Sequence, residues 1–154
     1  MEVPVKYAVA VVLRKSDESD EFLLVKRPDE GTRLSGLWGL PAVTMKEGEL
    51  PEDAAHRVCE EKLNCEARIG RFLGIMFQRR DTYNMHLMDV EMILEPSETP
   101  DVSQATTDHV AYSAQEWTDD LTRLIPAAER GSCCSSILLN HAGLMSREDW
   151  VTEF

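Results

Sequence analysis

A single helix with both of its ends marked sits near the middle of this chain, between two runs of strand-like sequence. Pro51 suits a first helical position, where no backbone N–H is needed, and Glu52 and Asp53 suit the positive end of the first turn. Ala54, Ala55, Val58, Cys59 and Leu63 recur at helical spacing and form one apolar stripe. Asn64 fits a left-handed cap at the C-terminal end. The stripe must be buried against a neighbour, and the flanking sequence supplies a sheet.

Residues 5–14 (VKYAVAVVLR) read as a mostly buried strand, and residues 22–26 (FLLVK) as its hairpin partner across the acidic turn 16–21. Residues 27–31 break that strand, and the apolar segment 37–43 is confined by Pro41 to an edge or bend. Beyond the helix, residues 67–78 and 83–94 read as two longer strands that turn near residues 79–82. Residues 95–108 form a polar loop, long enough to suggest a lid or binding role. The pattern then predicts a short strand over 109–113, a helix over 115–124 and a second helix over 132–141 with Ser132 as its cap. Strands, one helix, more strands and then helices imply an α/β fold with a mixed β-sheet sandwiched by helices. The 154 residues fit a single domain, with the residues after about 125 as C-terminal helical additions.

Charge narrows the partners. A formal net charge of −12 repels nucleic-acid backbones and anionic membranes, so neither is expected. A small phosphate ligand stays possible, because a metal ion or local basic residues can invert the field at a site. With 43% hydrophobic and 29% charged residues the chain reads as globular rather than disordered. No apolar run is long enough to span a bilayer, and residues 1–5 carry no basic leader, so a soluble, cytoplasmic protein is expected. Cys59, Cys65, Cys133 and Cys134 include no Cys-x-x-Cys pair, which argues against a zinc ribbon or thioredoxin-type motif. They read as reduced, small buried residues.

The chemistry is concentrated in residues 38–65, WGLPAVTMKEGELPEDAAHRVCEEKLNC. Carboxylates three and four residues apart share one helix face, and opposite a loop carboxylate or carbonyl they make an oxygen-rich site for Mg²⁺. Such an ion polarises a diphosphate and activates water. The segment resembles the box of the Nudix hydrolase family: Gly, five residues, Glu, seven residues, then Arg-Glu-hydrophobic-x-Glu-Glu-x-Gly-hydrophobic. Laid on without a gap, its first Gly falls on Val43, its first Glu on Glu49 and its Arg on Arg57. The second Glu falls on Val58, the Glu-Glu pair on Glu61 and Lys62, and the closing pair on Asn64 and Cys65. The run 37–41 (LWGLP) resembles the family's lead-in to its paired glycines, here Ala42 and Val43, and Lys26-Arg27-Pro28 resembles the end of its second strand. The resemblance covers residues 5–124 in element order and is motif-level over 27–65.

Two of the four box glutamates are therefore replaced. Valine can neither ligate a metal nor accept a proton, and lysine brings positive charge to the place where Mg²⁺ would sit. A one-residue shift would restore a Glu60-Glu61 pair, but it breaks the alignment at Gly48, Glu49 and Pro51. The resemblance implies a Nudix-type, Mg²⁺- or Mn²⁺-dependent hydrolase of a nucleoside diphosphate linked to another group, weak or narrow because the box is eroded. Glu49, Arg57 and Glu61 are the implied catalytic residues. Glu49, Glu61 and the Ala42 carbonyl are the implied ligands of one metal ion at most, with Arg57 as an ion-pair partner. Arg27, Trp38 and Lys62 are the candidates for ligand binding, Lys62 as a point-charge donor to phosphate.

Each of these has a plainer reading: Trp38 as core, Lys62 as a lysine near a helix end, Arg27 as surface, Glu60 as solvent-facing. Arg79 and Arg80 are further phosphate candidates, and Glu91, Asp101 and Asp108 further carboxylates. His56, His86, His109 and His141 show no metal spacing. The alternative function is a catalytically inactive Nudix domain that binds a nucleotide or a protein. Arg27-Pro28 and residues 36–41 also resemble the C-terminal domain of the adenine-mispair DNA glycosylase, a reading that the charge opposes. A homodimer is a further expectation from the family.

Overall fold

A computed structural model describes residues 3–28, 33–104 and 112–153. The strands are β1 (Val5–Arg14), β2 (Phe22–Lys26), β3 (Trp38–Gly39), β4 (Ala42–Thr44), β5 (Ala67–Arg79), β6 (Asn84–Leu94) and β7 (Ala114–Thr118). The helices are α1 (Pro51–Arg57), α2 (Ile125–Glu129) and α3 (Cys133–His141). The predicted strand at 109–113 lies partly outside the described residues. Its last two, Tyr112 and Ser113, precede β7 rather than forming a strand.

Along the sheet the order is β3-β2-β1-β6-β5, with β4 added to β1 and β7 to β2. β1 runs parallel to β6 over its whole length, from Val5 opposite Asn84 to Arg14 opposite Ile93. Its other edge is shared: Ala8 to Ala10 pair with β4, and Arg14 pairs with Phe22 of β2. Between those points β1 and β2 splay, and the bend at Leu40-Pro41 fits the gap, where Val11 N donates to Pro41 O at 2.8 Å. The proline thus sits where the chain passes from β3 to β4, as its missing N–H requires.

β1 is buried on both faces, so alternate residues serve two cores. Val9, Val11 and Leu13 join Ala54, Ala55, Val58, Cys59 and Leu63 under α1. Ala8, Ala10 and Val12 join Leu124, Ile137, Leu138 and Leu139 on the other face. This is the mixed sheet between helical layers that the element order implies.

The central helix begins at Pro51 with Glu52 and Asp53 in its first turn. Its last turn, Val58–Lys62, is a π-helix. Asn64 adopts φ 49°, and Cys65 N donates to Cys59 O at 3.0 Å, which closes the end as a left-handed cap.

The helix predicted over 115–124 is replaced by β7 and a 3₁₀ turn, Leu121–Leu124. Trp117, Leu121 and Leu124 stand at helical spacing, which is the source of the error. β2 leaves an edge open, and β7 fills it in register from Phe22 opposite Thr118 to Lys26 opposite Ala114. Asp120 then caps the 3₁₀ turn by accepting from Thr122 N at 3.0 Å. Tertiary pairing overrides a local pattern here.

Candidate functional site

The loop before α1 is drawn back onto the helix by one arginine. Arg57 donates from Nε to Glu49 Oε2 and from Nη2 to Glu49 Oε1, both at 3.0 Å, and Nη2 also reaches Thr44 O at 2.8 Å. Glu49 Oε1 accepts further from Lys46 N at 3.0 Å. Arg57 thus ties the end of β4, the turn at Gly48 and the helix together. The hydrogen bonds from Arg57 hold the Glu49 carboxyl below the usual carboxylate range, and Glu49 in turn raises Arg57. Gly48, at φ 78°, makes the turn that aims Glu49 back.

Glu61 lies one helical turn on, with Oε1 3.6 Å from Arg57 Nη1 and 35% of its side chain exposed. Lys62 turns toward Tyr112, its Nζ 5.4 Å from the ring centroid. Burial, helped by the nearby charges of Arg27 and Arg57, brings the Lys62 ammonium down to about 8. The Tyr112 hydroxyl accepts from Ala42 N at 3.0 Å, and burial raises that phenol to about 12. Lys62, Tyr112 and the Ala42 backbone thus form one small group beside the Arg57 cluster. Sequence reasoning assigned Tyr112 no role in the site, because its contact with Lys62 joins residues far apart in the chain.

Val58, at the box position for glutamate, is wholly buried in the core under α1. Glu60 is exposed. Arg27 is half-buried, and its backbone closes the loop end by donating to Leu37 O at 3.2 Å. Trp38 is packed toward the α2–α3 face, with Arg123 5.1 Å and Lys26 5.9 Å from its ring.

The remaining candidates have other partners. Arg79 pairs with Glu153 and Arg80 donates to Gln78 and Tyr83. Glu91 is held by Arg71. Asp101 accepts from Ser103. His86 stands against Tyr7 and Phe77, and His56 and His141 line separate cavities. Asp108 and His109 fall outside the described residues.

These groups do not fit the expected Mg²⁺. Both Glu49 oxygens are taken up by Arg57, Val58 offers no oxygen, and Lys62 places an ammonium next to the remaining carboxylate. Among the described residues no three acidic, histidine or cysteine side chains converge as metal ligands do. The arrangement instead offers two half-buried cationic side chains, Lys62 and Arg27, one partly exposed carboxylate and a tyrosine.

Solved structures share the fold. A NUDIX hydrolase from Nitrosomonas europaea is 20% identical, with 92% of this chain and 91% of that one aligned at a TM-score of 0.66. The MutT protein from Methanosarcina mazei Go1 is 14% identical over 97% and 98%, at 0.65. The ORF135 protein of E. coli is 20% identical over 80% and 79%, at 0.61. The family model described as NUDIX domain matches residues 4–124, from the start of β1 to the end of the 3₁₀ turn. This chain is a member of the NUDIX domain family.

Proposed function

We propose that this Nudix domain binds a small molecule carrying a diphosphate, a nucleoside diphosphate joined to another group, and hydrolyses it slowly. The observation that carries this reading is Lys62. Its half-buried ammonium stands beside Tyr112 and Ala42, at the box position for a glutamate. There a fixed positive charge contacts a phosphate oxygen directly, with Arg27 as a second cation. Glu61, the most accessible carboxylate of the cluster, accepts a proton from water.

General-base catalysis contributes about 10²–10⁴-fold, so a site working mainly through position and charge retains modest turnover. The test is phosphate release from nucleoside triphosphates, sugar nucleotides and dinucleotides, with and without Mg²⁺ or Mn²⁺. Turnover should be slow, lost in Glu61→Gln and lowered in Lys62→Glu. Higher turnover in Lys62→Glu would overturn the role given to Lys62. Ion-dependent turnover that needs Glu61 would instead mean that Glu61 and the Ala42 carbonyl hold one ion.

A second reading is favoured by the burial of Val58, which removes one oxygen from the box altogether: a Nudix domain that binds such a ligand without cleaving it. Thermal stabilisation by the same compounds, with no phosphate released, separates the two.

A further inference from the structure

The box places hydrophobic residues at the two positions that meet across the end of its helix, and in this chain both are cysteine. Cys59 lies in the π-helical turn and Cys65 just past the cap. The bond from Cys65 N to Cys59 O, 3.0 Å, with Asn64 at φ 49°, closes seven residues, one more than the usual six-residue cap because the last turn is a π-helix, and it brings the backbones of the two cysteines together. A backbone bond of 3.0 Å between the two cysteines keeps them close together, as is required by a disulfide, which spans roughly 4.4–6.8 Å between Cα atoms. Both thiols line one open cavity of about 520 Å³, although Cys59 is only 1% and Cys65 4% exposed. We propose that Cys59 and Cys65 are a redox-modification site that closes into a reversible disulfide on reaction with a small neutral peroxide.

The two sulfurs differ in position. Cys59 is held inside the π-helical turn at 1% exposure, and Cys65 lies past the helix end at 4%. Cys65 is therefore the attacking sulfur and Cys59 the resolving one. Cys133, by contrast, is pushed up to about 11 by burial and is the poorer nucleophile.

The same cavity is lined by Glu60, Glu66, Glu95 and Glu98, which selects the oxidant by charge. Glutathione disulfide, an anion, is repelled, and hydrogen peroxide is not.

The chemistry balances as follows. The Cys65 thiolate attacks one peroxide oxygen, the O–O bond breaks, and the departing hydroxide takes a proton and leaves as water. Cys59 sulfur then attacks the sulfenic sulfur, forming S–S and breaking S–O, and a second water leaves with the Cys59 proton. Two electrons pass from the two thiols to the peroxide, and a dithiol reductant reverses the reaction. The bridge closes a loop that contains Glu61 and Lys62, so oxidation locks the end of the helix that presents them. The disulfide stands independently of any ligand the domain binds.

The experiment treats the full chain with hydrogen peroxide and reads intact mass, a non-reducing peptide map and amide exchange. A loss of two hydrogens mapped to Cys59–Cys65, reversed by dithiothreitol, is expected, with slower exchange at residues 60–65. Cys59→Ser and Cys65→Ser should each abolish the loss, and Cys133→Ser with Cys134→Ser should leave it. Glutathione disulfide at equal concentration should react at least about tenfold more slowly. A bridge between Cys133 and Cys134, sulfinic acid at Cys65 without a bridge, or no change in mass overturns the proposal, and the wild-type map decides this even if a variant folds poorly. Equal rates with the two oxidants overturn the selection by charge.

Discussion

Arg57 shows how one side chain fixes a loop by meeting three groups at once. Its guanidinium is planar and its donors are fixed in a fork, so it satisfies both Glu49 oxygens and the Thr44 carbonyl. Arg57→Lys keeps the charge but cannot reproduce the fork, and Arg57→Met leaves Glu49, with only 12% of its side chain exposed, without its counter-ion. Hydrogen bonds to charged groups are worth about 1.5–3 kcal/mol each, so Arg57→Met should destabilise by about 2–4 kcal/mol and Arg57→Lys by roughly half that. Urea unfolding checks the order, and equal losses would mean that the fork geometry is irrelevant. The Glu49–Arg57–Glu61 constellation was legible in the sequence, because helical spacing puts Arg57 and Glu61 on one face. What spacing could not show is that Arg57 takes both oxygens of Glu49. Nor could it show that Lys62 turns to Tyr112, fifty residues away, because that contact depends on where β7 enters the sheet.

At the level of elements, α1 was legible because its signals are local: a proline at the start, acids in the first turn, an asparagine at the end. β7 was not, because its signal is an open edge on β2 and its own residues carry a helical spacing. β5 carries a third kind of information, in its glycines. Its register against β6 slips between Ile69 and Phe72 and again before Gly74, as a bulged strand does. Gly74 has φ 155°, and a Cβ there would stand 2.9 Å from Ile137 Cγ2 of α3. The glycine therefore lets α3 settle onto the sheet. Gly74→Ala forces either the strand or the helix to move, and overpacking of this kind costs about 1–3 kcal/mol. The loss should appear in thermal unfolding together with faster amide exchange in α3, whereas α1, on the other face, should exchange as before. A uniform acceleration in both helices would show that the contact is not local.

For the molecule as a whole, the polar groups under α3 set how stability responds to pH. Asp89 of β6 is fully buried, and among the described residues neither of its carboxyl oxygens has a hydrogen-bond partner. Burial, with Cys134 nearby on α3, raises its pKa well above the ordinary carboxylate value. The folded protein thus holds a proton that the unfolded chain releases near pH ~4. Where the folded state binds more protons, stability falls as pH rises, so the stabilisation from neutral Asp89 is complete below the unfolded value and is lost as pH climbs toward the folded one. Glu49 has the opposite sign: its lowered pKa contributes stability above the ordinary carboxylate range and loses it in acid. The two act in opposite directions with pH, and stability should peak between them. Asp89→Asn removes the ionisation at nearly constant volume, which should flatten the alkaline limb and raise stability at about pH 8 relative to the unsubstituted chain. Arg57→Met should flatten the acid limb instead. Urea unfolding from about pH 4 to 8 reads both slopes, and an unchanged alkaline slope in Asp89→Asn would mean that Asp89 is solvated in the folded protein and that its burial does not govern its charge.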